Sequence, residues 1–179
     1  VVIVISLILV IVVKSLTNYQ NKIYSLAKTD YLTLLLNRRG FNAEYSKFNK
    51  SEEALVFITD IDRFKDINDK HGHSQGDLVL RRVAKLINDE VSKYGKLSRW
   101  GGDEFTGVMI GERVIIEKAL SNVFESLKTD DILQPYNLSI SLGYTYTNFD
   151  TNMDDVLSKA DQGLYIAKSK GGNHIEYIK

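Results

Sequence analysis

Two short runs of strand character, residues 97–100 and 104–110, face each other across Gly101, Gly102 and Asp103. A glycine pair between such runs signals a tight antiparallel hairpin. The hairpin carries two adjacent acids, Asp103 and Glu104, with Phe105 returning to the core. Glycine adopts backbone dihedrals that other residues avoid and lets a chain approach a ligand closely. Gly-Asp turns are also ordinary on protein surfaces, so the hairpin alone is compatible with a plain polar turn. Its weight depends on which other acids reach the same place.

The rest of the chain alternates helical and strand patterns. Asn37 is suited to cap a helix running to about Lys50, with Phe41, Tyr45 and Phe48 on one side. Residues 54–61 read as a buried strand, followed by Asp62 as the cap of a short helix through Lys70 and by Gly72 as its stop. Residues 74–94 and 112–128 carry helical spacing, 138–146 a strand, 153–170 a helix stopped by Gly171 and Gly172, and 174–178 a last strand. Strands interspersed with helices around one hairpin predict a mixed sheet covered by helices.

Residues 1–13 are apolar except Ser6, and Lys14, Lys22 and Lys28 follow before the first acid, Asp30. A full span needs about 20 apolar residues. The run reads as the last part of a transmembrane helix, residues 1–15, whose flanking lysines mark the cytoplasmic side. A buried strand or core helix is the competing reading. Leu16, Tyr19, Ile23 and Leu26 then follow at the spacing of a coiled-coil seam. Residues 16–29 are accordingly either a stalk that pairs two chains or an amphipathic helix packed on its own domain.

Composition narrows the chemistry. The 179 residues balance 23 basic against 23 acidic side chains, which argues against a nucleic-acid binder. Without cysteine there is no thiolate metal site, disulfide or thiol nucleophile. A metal would be held by oxygen or histidine ligands, which favours Mg2+ or Mn2+. Asp60, at the end of its strand, has no capping duty and sits beside the Ile61 carbonyl. Asp60 and Asp103 thus offer acids from separate segments to one cation. Asn68, His73 and Asp77, interleaved with Gly72 and Gly76, have the groups to read a guanine edge, since a carboxylate accepts from its N1 and N2 hydrogens; helix capping is the plainer explanation. Lys65, Arg99 and Lys168 are the nearby cations for phosphate, each equally consistent with a solvated surface charge. No GxxxxGK[ST] loop or HExxH motif is present.

Arg99 through Phe105, as R-W-G-G-D-E-F, resembles the signature of the GGDEF family of diguanylate cyclases. Asp30 to Thr33 with Asn37 to Arg39, the run from Asp60 to Asp69 with Gly72, His73, Gly76 and Asp77, and the later Ser141 to Gly143 and Ala160 to Lys168 blocks are similar to its other motifs. The resemblance spans about residues 28–179. It implies an α+β domain at 30–179, with a central mixed, mostly antiparallel five-stranded sheet akin to the palm of class III nucleotide cyclases, preceded by the N-terminal helix. It implies a homodimer joining two GTP into cyclic di-GMP with release of pyrophosphate at a two-metal site; with residues 1–15 read as a membrane helix, the catalytic domains would lie on the cytoplasmic side of the inner membrane. By position, Asp60, the Ile61 carbonyl and Asp103 would bind metal, and Asp103 and Glu104 would be catalytic. Asn68, His73 and Asp77 would meet guanine, and Lys65, Arg99, Gly101, Gly102 and Lys168 the rest of the substrate. A catalytically silent GTP-binding or dimerisation module is the alternative.

Three positions depart from the family pattern. Leu34 stands where glycine is usual. Gly163 replaces alanine, which should weaken the last helix by about 1 kcal/mol. Gly172 replaces a basic residue. The R-x-x-D of the product-inhibition site is also missing, its positions being Ser92 and Gly95, so no feedback binding is expected there.

Overall fold

The computed structural model describes residues 2–26, 28–49 and 51–179; in the first helix the described side chains are those of residues 6, 9–20 and 23. That helix, α1, runs from Val2 to Leu26. Its described apolar side chains, Leu9 to Val13 among them, are exposed. Leu16, Tyr19 and Ile23 are 58%, 68% and 53% exposed, so these seam positions do not pack on the domain. The Lys22 and Leu26 side chains lie outside the described residues. Among the described residues no helix is long and apolar enough to cross a membrane.

Asp30 then folds the chain back, its carboxylate accepting from the Thr33 N–H at 2.8 Å and the Thr33 hydroxyl at 2.7 Å. β1 (Leu36–Asn37) and α2 (Arg38–Tyr45) follow, with the Asn37 side chain capping α2 at the Gly40 N–H as the sequence predicts. The helix ends at Tyr45, well short of the expected Lys50, which lies outside the described residues.

The domain is ordered β2 (Glu53–Ile61), α3 (Phe64–His71), α4 (His73–Val91), β3 (Gly95–Gly101), β4 (Glu104–Met109), α5 (Arg113–Thr129), β5 (Ile140–Asn148), α6 (Met153–Ser169) and β6 (Ile175–Tyr177). The sheet order is β1-β3-β4-β2-β5-β6. The four inner strands are mutually antiparallel, and β1 and β6 flank them in parallel. The sheet thus has six strands rather than five. The extra one, β1, is two residues long, too short to leave a period in the sequence.

β2 sits at the centre of the sheet and is buried on both faces, which is why it reads as an unbroken apolar run rather than an alternation. Leu55, Phe57 and Ile61 pack with Val79, Val83 and Ile87 of α4 and Ile116, Leu120 and Val123 of α5. Val56 joins Phe41 and Tyr45 of α2 and Val156 of α6, and Ile58 joins Ala160 and Leu164 of α6. Each such side chain fully buried contributes about 1.5–3 kcal/mol. Arg82 of α4 crosses to Asp130 beyond α5, with Nε at 2.9 Å from Oδ2. Gly163 is a packing residue: a Cβ there would lie 2.9 Å from the Gly143 Cα and 3.0 Å from the Glu176 carbonyl oxygen. The propensity lost by having glycine in α6 is what lets that helix lie this close to β5.

Candidate active site

Strand pairing brings the acids together. Asp60, next to last in β2, is the register partner of Glu104 at the start of β4. Side chains alternate along a strand. Since Phe57 and Phe105 share the α4–α5 core, Asp60 and Glu104 share the opposite face, toward α6. Asp103 lies one residue away in the turn. The hairpin reaches this place through a bulge between Arg99 and Gly101, after which Gly101 pairs with Glu104. Gly102 has φ +56 and is the one positive-φ residue of the turn, the pattern of a type II′ hairpin. A Cβ at Gly101 or Gly102 would meet nothing within 4 Å, so the outer side of the turn is open.

Asp60 is only 8% exposed. Lys168, from the last turn of α6, places its Nζ 2.8 Å from Asp60 Oδ1. Burial pushes the Asp60 carboxyl up to about 6; the Lys168 hydrogen bond opposes this, while the neighbouring Asp103 and Glu104 charges reinforce it. Such a group favours a cation beside it. Among the described residues no three acidic or histidine side chains already converge as a metal cage. The donors nonetheless suit Mg2+ or Mn2+, because Mg2+ characteristically takes one or two carboxylates and completes its shell with water and substrate phosphate. Asp60, Asp103 and the Ile61 carbonyl are hard oxygens of that kind.

Asp62 does not cap a helix. α3 starts at Phe64, and its cap position is Arg63, at φ 55. The Asp62 carboxylate instead accepts from the Ser139 hydroxyl at 2.6 Å, the Ser141 hydroxyl at 2.7 Å and the Asn173 N–H at 2.9 Å. It ties the end of β2 to the start of β5 and to the loop after α6. Asp60, Asp62, Arg63, Lys168, Gly171 and Gly172 line a cleft of about 290 Å³.

The candidate purine readers lie along the α3–α4 corner. Asn68 packs against α4 so closely that a Cβ on Gly76 would come 2.0 Å from its Oδ1. Gly72, at φ +84, turns the chain between the helices, and His73 and Asp77 sit exposed on the first turns of α4. Lys65 is exposed near the start of α3. Arg99 does not join the expected phosphate cations. Its Nε donates to the Gly102 carbonyl at 2.8 Å, and its guanidinium meets both Asp30 oxygens at 3.1 and 3.2 Å. It clamps the hairpin to the Asp30 turn. Neither this clamp nor the Asp62 tie was read from the sequence; the matching Asp30–Thr33 and Arg99 motifs were its visible trace.

Residues 27–174 match the family model described as "Diguanylate cyclase, GGDEF domain". The chain is 34% identical over 169 residues to "Diguanylate cyclase DosC" of Escherichia coli, a match covering 84% of this chain and 35% of that protein. The chain therefore spans about a third of the length of this curated relative. Among solved structures, the coiled coil and GGDEF domain of DgcB from Caulobacter crescentus, in complex with c-di-GMP, superimposes with TM-score 0.80 at 24% identity, covering 93% of each chain. The GGDEF domain of the same protein alone gives TM-score 0.76 at 26% identity, covering 84% of this chain and 95% of that one.

Proposed function

The chain belongs to the diguanylate cyclase GGDEF-domain family, and we propose that it condenses two GTP into cyclic di-GMP, releasing two pyrophosphates. The observation that carries this reading is the register pair Asp60–Glu104 with Asp103 beside it, facing a cation on α6. Asp60, Asp103 and the Ile61 carbonyl would hold the divalent ions, which would supply charge neutralisation at the triphosphate and a lower pKa for the attacking hydroxyl. Asp103 and Glu104 hold and move the proton of the substrate 3′-hydroxyl, and Lys168 meets phosphate. Asn68 and Asp77 read the guanine edge with His73 nearby, Lys65 adds positive charge at the start of α3, and the open glycines 101 and 102 let the nucleotide approach the hairpin backbone.

The reaction joins two nucleotides symmetrically, so it needs two copies, each presenting one GTP. The outward seam at Leu16, Tyr19 and Ile23 suits a paired stalk. Residues 1–15 are read as the end of a membrane anchor, with the domain on the cytoplasmic side. Ser92 and Gly95 offer neither guanidinium nor carboxylate, so tight product binding at residues 92–95 is not expected.

One observation favours the silent module. Gly172 brings no side chain to the cleft. Incubation with GTP or ATP and Mg2+, followed by chromatography, separates the readings. Cyclic di-GMP from GTP alone is the expected result. GTP that binds but stays intact selects the silent module, and a product from ATP contradicts the guanine assignment.

A further inference from the structure

Arg63 stands out in the cleft beside Asp60. It is a non-glycine residue at φ 55. That left-handed conformation is strained for a side-chain-bearing residue and tends to persist at functional sites. Its side chain is exposed, and among the described residues it makes no hydrogen bond or ion pair. It lines the 290 Å³ cleft with Lys168, Gly171 and Gly172. It also lines an adjoining cleft of about 420 Å³ that shares Asp62 and Gly171. The other charges of the smaller cleft are committed. Lys168 is paired with Asp60, and Asp62 accepts three hydrogen bonds. On the far wall, Gly172 has φ +82, and a Cβ there would lie 2.8 Å from the Asp62 carboxyl. That wall is closed to a side chain without displacing Asp62.

We infer that Arg63 is a further phosphate-binding cation of this site, contacting the outer phosphates of the nucleotide from the β2–α3 turn, alongside Lys168 of α6 and Lys65 of α3. The inference rests on the reading of the cleft as a GTP site. A guanidinium presents paired N–H donors that match phosphate oxygens, and it stays charged at all working pH values. The strained backbone at Arg63 turns the chain sharply at the end of β2, so this side chain leaves the sheet beside the acids.

The test compares binding of GMP, GDP and a GTP analogue with a methylene between the α- and β-phosphates, each with Mg2+, to the full chain and to Arg63→Ala and Arg63→Lys. The native chain should gain affinity with each added phosphate. Arg63→Ala should bind the analogue about tenfold more weakly, with GMP affinity unchanged. Arg63→Lys should recover part of the loss, because it restores a charge without the paired donors. An Arg63→Ala chain that binds the analogue as the native chain does, or that loses GMP affinity equally, overturns the inference while leaving the cyclase reading intact. A native chain that binds no guanine nucleotide overturns both.

Discussion

Leu34 shows how one residue can hold strain that its neighbours enforce. It lies in the turn closed by the Leu34 N–H to the Asp30 carbonyl at 2.9 Å and the Asp30 N–H to the Leu35 carbonyl at 2.8 Å. Its φ is 61 and its side chain is 79% exposed. The apolar side chain adds little burial to offset a left-handed backbone. Leu34→Gly should therefore stabilise the protein by about 1 kcal/mol, net of the extra freedom glycine gives the unfolded chain. Urea denaturation checks this: the midpoint should rise with an unchanged slope, and a lower midpoint counts against it. At this scale the sequence was partly legible. Asp60, Asp103 and Glu104 stood out because acids at strand ends lack a structural duty. Asp62 and Arg99 did not, because their partners, Ser139, Ser141 and Asn173 for one and Asp30 for the other, lie about 70 to 110 positions away in the chain.

Among the elements, the core that holds β2 in place is braced by one partly buried ion pair. Asp130, its side chain 5% exposed, takes the Arg82 guanidinium and also accepts from the Ile132 and Leu133 N–H groups at 3.2 Å. The Arg82 hydrogen bond, with its charge and the two N–H groups, holds the Asp130 carboxyl below its usual 3.8 despite burial. Arg82→Ala should cost about 2 kcal/mol near neutral pH. A depressed carboxylate pKa stabilises the fold above the unfolded value and loses that stabilisation as pH falls through the folded one. The gap between native and variant stability should therefore be full at pH 7 and shrink below about pH 4. A gap that is flat with pH contradicts the assignment. Helix and strand positions were legible from periodicity. The short edge strand β1 and the early end of α2 were not, because both are set by pairing and packing rather than by a repeat.

In the whole molecule, α1 stands apart from the domain, its described seam residues facing outward. If two copies pair along it, Tyr19 lies on the contact and Asn18 does not. The chain has no cysteine, so a single introduced one reports cleanly. A disulfide forms only when the two Cβ atoms come within about 4.5 Å. Tyr19→Cys should cross-link into dimers under mild oxidation and Asn18→Cys far less; equal cross-linking at both contradicts a seam. The seam spacing was legible in the sequence. Its outward orientation was not, since an amphipathic helix docked on its own domain carries the same pattern.

The account as a whole rests on acids from two strands, β2 and β4, acting at one place. The most direct test is the rate of cyclic di-GMP formation from GTP and Mg2+ by the native chain, Asp60→Asn and Asp103→Asn, with circular dichroism confirming that each is folded. Each substitution should reduce turnover about a hundredfold or more, since each removes a charge on which the reaction depends. A folded variant of either kind that keeps native turnover contradicts the site.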